Sequence, residues 1–77
     1  MPLTPAITAE LRKAWARLGG SADMFDSVIP SRPLRATFAH AGADADLLTI
    51  LASYGDTMGD EWVLGELRRW NAAMSEA

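Results

Sequence analysis

The chain has 77 residues, of which 49% are apolar, and this content predicts one folded domain spanning residues 1–77 rather than a disordered segment. It has no cysteine, which excludes a disulfide framework and a thiolate metal site. No apolar run approaches about 18 residues, and the N-terminus lacks the basic and apolar regions of a signal peptide, so we expect no membrane span and a cytoplasmic location.

The charges are unevenly distributed along the chain. Ten acidic and seven basic residues give a formal net charge of −3, yet between Arg35 and Arg68 the only other group that can carry positive charge is His40. A mostly negative C-terminal half repels a phosphate backbone and favours a basic protein partner. An ordinary solvated acidic face with helix caps explains the same pattern. The uncompensated acids are Asp44, Asp46, Asp56, Asp60, Glu61 and Glu66.

The first predicted helix begins at Thr4-Pro5 and ends near Leu18. Thr4 is a good N-cap, and Pro5 fits the first helical position because its missing N–H would have no partner there. Gly19-Gly20 ends the helix, since glycine adopts the left-handed conformation without penalty. The apolar stripe consists of Ile7, Leu11, Ala14 and Leu18, with Trp15 at its edge and Arg12, Lys13 and Arg17 outside it.

Residues 21–29 predict a second, short helix. Ser21 is its cap, and the helix directs Met24, Phe25 and Val28 inward. An irregular connection pinned by Phe25 is the alternative. Pro30 ends the segment in either case.

Residues 31–41 fit two structures. Ser31 as cap and Pro33 in the first turn predict a helix with Leu34 and Phe38 on one face. The clean alternation of apolar and polar residues over 34–38 predicts a short strand instead. We favour the helix, because a lone strand has no partner elsewhere in this chain. Residues 40–43 then form the stop and turn.

The fourth predicted helix starts with a cap at Asp44 or Asp46. Gly55 is a natural end for it, and residues 56–59 form a turn in which Met58 points inward. The apolar stripe of this helix is Leu47, Ile50, Leu51 and Tyr54, widened by Leu48.

The last helix, residues 60–74, has the strongest pattern in the chain. Asp60 is its predicted N-cap, and Trp62 and Leu64 lie about 100° to either side of the main stripe. The apolar band is therefore wider than a surface helix needs. Either neighbours cover the helix on both flanks, or part of the band contacts another molecule. The main stripe consists of Val63, Leu67, Trp70 and Met74.

These elements predict an all-α fold. We expect a compact bundle of four to five short helices with helix 60–74 at its centre, and frayed ends at residues 1–3 and 75–77.

Catalytic and metal-binding patterns are weak. Counted from Asp56, an EF-hand loop would need glycine at its sixth position and a carboxylate at its twelfth, where the chain has Glu61 and Leu67. One histidine, His40, and no cysteine give no zinc site and no catalytic constellation. We therefore predict neither an enzyme nor a cofactor.

A DNA-binding helix-turn-helix variant, with helices 46–55 and 60–74, is the alternative function. Arg68 and Arg69 would contact nucleic acid, assisted by the basic residues Arg12, Lys13 and Arg17. Against this reading, the would-be recognition helix opens with Asp60 and Glu61, which repel phosphate and offer no basic donor to the bases.

Protein interaction is the favoured function. Trp15 and Trp70 lie on or beside their helix stripes and are predicted core residues, whereas Trp62 lies off its stripe, and tryptophan is enriched at binding hot spots. We expect a stoichiometric regulator or inhibitor, of the antiactivator or phage type, that docks onto a larger protein, such as one that binds nucleic acid. A homodimer that hides the spare apolar surface is a further hypothesis. The predicted docking patch is Asp60, Glu61, Trp62, Leu64 and Glu66.

Overall fold

Each patterned segment of the sequence forms a helix. The computed structural model describes residues 4–28, 33–53 and 59–76. These ranges contain no strand, so the all-α class is confirmed and the strand alternative at 34–38 is wrong. None of the described helices has the length and apolar character needed to cross a bilayer. In chain order the helices are α1 (Pro5–Arg17), α2 (Ala22–Val28), α3 (Leu34–His40), α4 (Ala45–Ala52) and α5 (Asp60–Glu76).

Three helices begin at the predicted side-chain caps. The Thr4 hydroxyl accepts the N–H of Ile7 at 3.2 Å, with proline following it at the first helical position. The Asp44 carboxylate accepts the N–H of Leu47 at 2.8 Å, which decides between the two candidate caps of α4. Ser21 caps α2 in the same way, through the N–H three residues later at 3.2 Å. Each such cap contributes about 1 kcal/mol to helix stability.

The other two helices begin differently from the prediction. Pro33 occupies the cap position of α3 without a side-chain hydrogen bond, and Ser31 lies outside the described residues. In α5 the Gly59 carbonyl accepts the N–H of Val63 at 3.3 Å, so Gly59 is the cap and the prediction for Asp60 is wrong. Gly59 has φ +82°, a left-handed conformation that glycine adopts without steric cost. Asp60 lies in the first turn, where the helix dipole favours negative charge.

Helix α5 is central, as predicted. It packs against α1 and α4, while α2 rests on α1 and α3 on α4. Trp62 and Leu64 are both partly buried against the core, so neighbours on two flanks cover part of the wide apolar band. The buried core consists of Ile7, Leu11, Ala14, Trp15, Phe25, Phe38, Leu47, Ile50, Leu51, Val63, Leu67 and Trp70.

Trp15 joins three helices. Its ring lies 6.3 Å from Phe25 of α2 and 5.4 Å from Phe38 of α3, measured between ring centroids, in tilted and edge-on geometries that suit aromatic pairs. Its indole N–H donates to the Ser21 carbonyl at 2.8 Å. Trp15 and Trp70 are each only 7% exposed, which confirms both as core residues.

Two methionines predicted to point inward are exposed. Met24 is 53% exposed, because its neighbour Phe25 takes the buried position of α2. Met74 is 38% exposed although it lies on the α5 stripe. The start of α4 covers α5 at Trp70, where Asp44 contacts the indole N–H. Met74 lies one turn further along α5, beyond that contact.

The C-terminal helix is longer than predicted. Ser75, expected to begin a frayed tail, is part of α5, which continues to Glu76. The Ser75 hydroxyl also bonds the Arg17 guanidinium at 2.6 Å, which ties this turn to α1. The remaining predictions concern Tyr54, Gly55, Met58, Pro30, residues 1–3 and the Val28 side chain, and these lie outside what the structure describes.

Candidate protein-binding site

The two flanks of α5 have different partners. On one flank the Asn71 amide donates to the backbone carbonyl of Glu10 in α1 at 3.1 Å. On the other flank the Trp70 indole N–H donates to the Asp44 carboxylate, at 3.2 and 3.3 Å from its two oxygens. Trp62 lies about 80° around the helix from Trp70 and about 180° from Asn71, and it lines a groove with residues of α4, so it lies toward the α4 flank as well.

A groove runs between α4 and α5. It encloses about 430 Å³ and is open to solvent along its length. Ile50 and Trp70, each 7% exposed, are its buried apolar residues, whereas Trp62 is half-buried and Met74 is exposed. The lining residues are Asp46, Thr49, Ile50, Trp62, Glu66, Arg69, Trp70, Ala73 and Met74.

The rim of the groove is charged. Glu66 and Arg69 form an ion pair at 3.5 Å, but the Arg69 side chain is 79% exposed, so the pair contributes little to stability and can open. Across the groove Asp46 is exposed and has no ion pair with another described residue. The α4 rim therefore carries an unneutralised negative charge.

The five residues of the predicted docking patch do not form one surface. Trp62 and Glu66 both line the groove, together with residues of α4. Leu64 lies about 200° around the helix from Trp62 and is partly buried against the core. Asp60 and Glu61 occupy the first turn of α5 and do not line the groove.

Sequence reasoning missed the α4 side of this groove. Asp46, Thr49 and Ile50 share one face of α4, and their spacing of i, i+3 and i+4 was visible in the sequence. Which face of α4 would meet which flank of α5 was not visible, because it depends on how two helices separated by a loop pack together.

A second concavity, of about 350 Å³, lies between α3 and α4. Its two hydroxyls are already engaged: Thr49 donates to the Ala45 carbonyl at 2.8 Å, and Ser53 donates to the Thr49 carbonyl at 3.3 Å. Arg35 is the charged residue in its lining. This lining contains no tryptophan or methionine, so the concavity offers less apolar contact than the α4–α5 groove.

The basic residues of α1 take part in contacts within the chain. Arg12 pairs with Asp26 at 3.0 Å and lies 4.7 Å from the centroid of the Phe25 ring. Lys13 pairs with Glu10 at 3.2 Å. These partners neutralise part of the charge that a nucleic-acid site would need.

Arg17 belongs to a polar cluster that sequence reasoning missed. Its Nε donates to Asn71 Oδ1 at 3.1 Å, and the Asn71 amide in turn donates to Glu10 Oε1 at 3.2 Å. Asn71 is 4% exposed and Glu10 is 9% exposed, so both need such partners. The cluster fixes how α1 packs on α5. A single polar residue in a helical pattern does not indicate a partner 61 positions away.

The structure describes only part of the region that the helix-turn-helix alternative involves. Its first helix is α4, which ends at Ala52 rather than at residue 55, and most of the expected turn, residues 56–58, lies outside the described ranges. Arg68 is exposed and has no ion pair with another described residue. Asp60 and Glu61 occupy the first turn of the would-be recognition helix, as expected.

No metal centre is formed by the described residues. Within 4–28, 33–53 and 59–76, no three His, Cys, Asp or Glu side chains are grouped so that they could hold an ion. His40 is exposed at the end of α3.

No family model matches the chain, and no match was found among curated proteins or solved structures.

Proposed function

We propose that this protein is a protein-interaction module that acts stoichiometrically, as a regulator or inhibitor of a larger protein, and that it binds through the α4–α5 groove. The observation that carries the proposal is that the half-buried Trp62 and the exposed Met74 both line a groove with buried apolar residues. Tryptophan is enriched at binding hot spots, and methionine adapts its shape to a partner surface.

The groove suits binding better than catalysis. It is open along its length, and its polar groups are the acids Asp46 and Glu66, the paired Arg69 and a threonine whose hydroxyl already donates to the backbone. His40, the one histidine of the chain, does not line it. A partner that covers the groove would remove Trp62 and Met74 from water, which is favourable at about 25 cal/mol per Å² of apolar area.

The proposal is tested by affinity capture from cells that naturally contain the protein. Wild type, Trp62→Ala and Glu66→Arg are used as bait, and retained proteins are quantified by mass spectrometry. We expect one partner to be retained by wild type and reduced at least about tenfold by either variant, because a hot-spot truncation costs about 2 kcal/mol or more.

Two matched controls separate the groove from general effects. Met24→Ala truncates an exposed apolar side chain on α2, and Glu61→Arg makes the same charge reversal on α5 outside the groove. Both should retain the partner at close to the wild-type level. If Trp62→Ala, still folded by far-UV circular dichroism, retained every partner that wild type retains, the groove would not be the binding site.

A further inference from the structure

The α5 wall of the groove is long enough to contact a helix of several turns. On α5 its lining recurs at Trp62, Glu66, Arg69 and Ala73, the i, i+4, i+7 and i+11 positions of one helix face. Eleven residues at 1.5 Å each make this stretch roughly 17 Å long. An occupant helix of about three turns would lie along it over its full length.

The backbone chemistry of the groove also favours a helix. Ile50 and Trp70 lie within helices, so their peptide groups are committed to intrahelical hydrogen bonds. An extended peptide would find no free backbone donors or acceptors there, and the described residues contain no sheet edge on which it could pair. A helix satisfies its own peptide groups and needs only to present an apolar face.

The charge of the rim favours an occupant with positive charge. Asp46 on the α4 side is exposed and has no ion pair with another described residue. Glu66 on the α5 side is held only by the exposed Arg69 at 3.5 Å. A lysine or arginine beside the apolar face of an occupant would neutralise Asp46 without displacing an existing partner, whereas an acidic residue would be repelled.

A second copy of this chain is a poor occupant. Among the described residues, the exposed large apolar side chains are Met24 and Met74. Met74 already belongs to the groove, so the described helices have no spare apolar face to insert into another copy. Two grooves placed face to face would bring Asp46, Glu66 and Arg69 of both copies together, and the net negative charge of each rim makes this electrostatically unfavourable.

We propose that the α4–α5 groove binds an amphipathic α-helix of a different protein, about three turns long, with a basic residue facing Asp46. This inference rests on the proposed function and specifies its partner. The helix would cover Trp62 and Met74 with its apolar face, while its flanking lysine or arginine pairs with the Asp46 carboxylate.

The experiment is an unbiased selection from a displayed library of random peptides of about 16 residues, long enough for roughly four helical turns. The bait is the full-length protein, with Trp62→Ala as counter-selection. Expected binders have apolar residues at helical spacing flanked by lysine or arginine. As synthetic peptides they should lose binding when proline replaces a central residue, since proline breaks the helix.

A charge reversal tests the contact with Asp46 directly. Asp46→Lys should weaken the selected peptides about tenfold, because it replaces an attraction with a repulsion. Asp23→Lys, the same change at an exposed site on α2, should leave affinity unchanged. A peptide whose basic residue is replaced by glutamate should bind Asp46→Lys better than it binds wild type.

The other outcomes overturn the inference in distinguishable ways. Binders that require Trp62 but are acidic, or that tolerate the central proline, refute the basic helix and leave the groove as a binding site. Binders that ignore Trp62→Ala, or the absence of any enrichment, refute the groove itself and with it the proposed function. A dimer in sedimentation that Trp62→Ala dissociates would show that a second copy is the occupant.

Discussion

The Asp44 carboxylate accepts hydrogen bonds from two helices at once. Its Oδ1 accepts the N–H of Leu47 at 2.8 Å, which caps α4, and the Trp70 indole N–H of α5 at 3.2 Å. One side chain therefore both starts a helix and positions that helix on its neighbour. Because α4 and α5 form the two walls of the groove, Asp44 also links the two walls of the proposed binding site.

Replacing Asp44 separates its two roles. Asp44→Ala should destabilise the fold by about 2 kcal/mol, because it removes the cap and leaves the Trp70 indole N–H without its acceptor. Asp44→Ser can still cap the helix and should cost about half as much. Thermal unfolding followed by circular dichroism measures the difference, with roughly 4–8 °C expected for each kcal/mol in a domain of this size. Equal midpoints for the two variants would mean that the cap contributes nothing, because both variants lose the carboxylate that contacts Trp70.

Two glycines should respond in opposite directions to alanine. A Cβ at Gly20 would overlap the indole ring of Trp15, which is held against two other aromatic rings. Gly20→Ala should therefore cost about 1–3 kcal/mol through overpacking. A Cβ at Gly65, in the middle of α5, meets no atom within 4 Å, so Gly65→Ala should stabilise the protein by up to about 1 kcal/mol through helix propensity.

Urea unfolding measures the free energy of unfolding of both variants. The two values can be compared directly, because each variant adds one methyl group. Gly65→Ala is the control that alanine itself is tolerated. A Gly20→Ala variant as stable as wild type would show that the Trp15 ring shifts to make room.

Binding to duplex DNA should be absent. Arg12, Lys13, Arg17 and Arg69 are engaged within the chain, which leaves Arg68 as the basic residue among the five candidates with no such contact described. One unpaired cation among these five candidates, in a protein of net charge −3, is a weak basis for phosphate binding. A gel-shift titration at about 50 mM salt measures this. A complex that weakens with salt and is lost in Arg68→Ala would favour the helix-turn-helix alternative.

Local chemistry was readable from the sequence. Thr4, Ser21 and Asp44 cap helices as predicted, because a cap depends on backbone and side-chain atoms only three residues apart. The buried stripes of α1 and α4 follow the 3.6-residue period for the same reason. The error at Asp60 was local as well, and arose because Gly59, in a left-handed conformation, takes the cap position.

Burial at the ends of helices was harder to predict. Met74 has the right spacing for the core, yet it is exposed because the start of α4 reaches only as far as Trp70. Periodicity indicates which side of a helix faces inward. It contains no information on how far the neighbouring helix extends along that side.

The sequence by itself determined that this protein is all-α, where three of its helices begin, and that α5 has more apolar surface than one neighbour can cover. Only the tertiary structure decided how that surface is divided. Leu64 packs into the core, while Trp62 borders a groove whose other wall carries Asp46. The physical reason is distance along the chain. Helix formation depends on neighbours within four residues, whereas the groove, like the Glu10–Asn71 contact, requires helices separated in sequence to pack in one particular orientation.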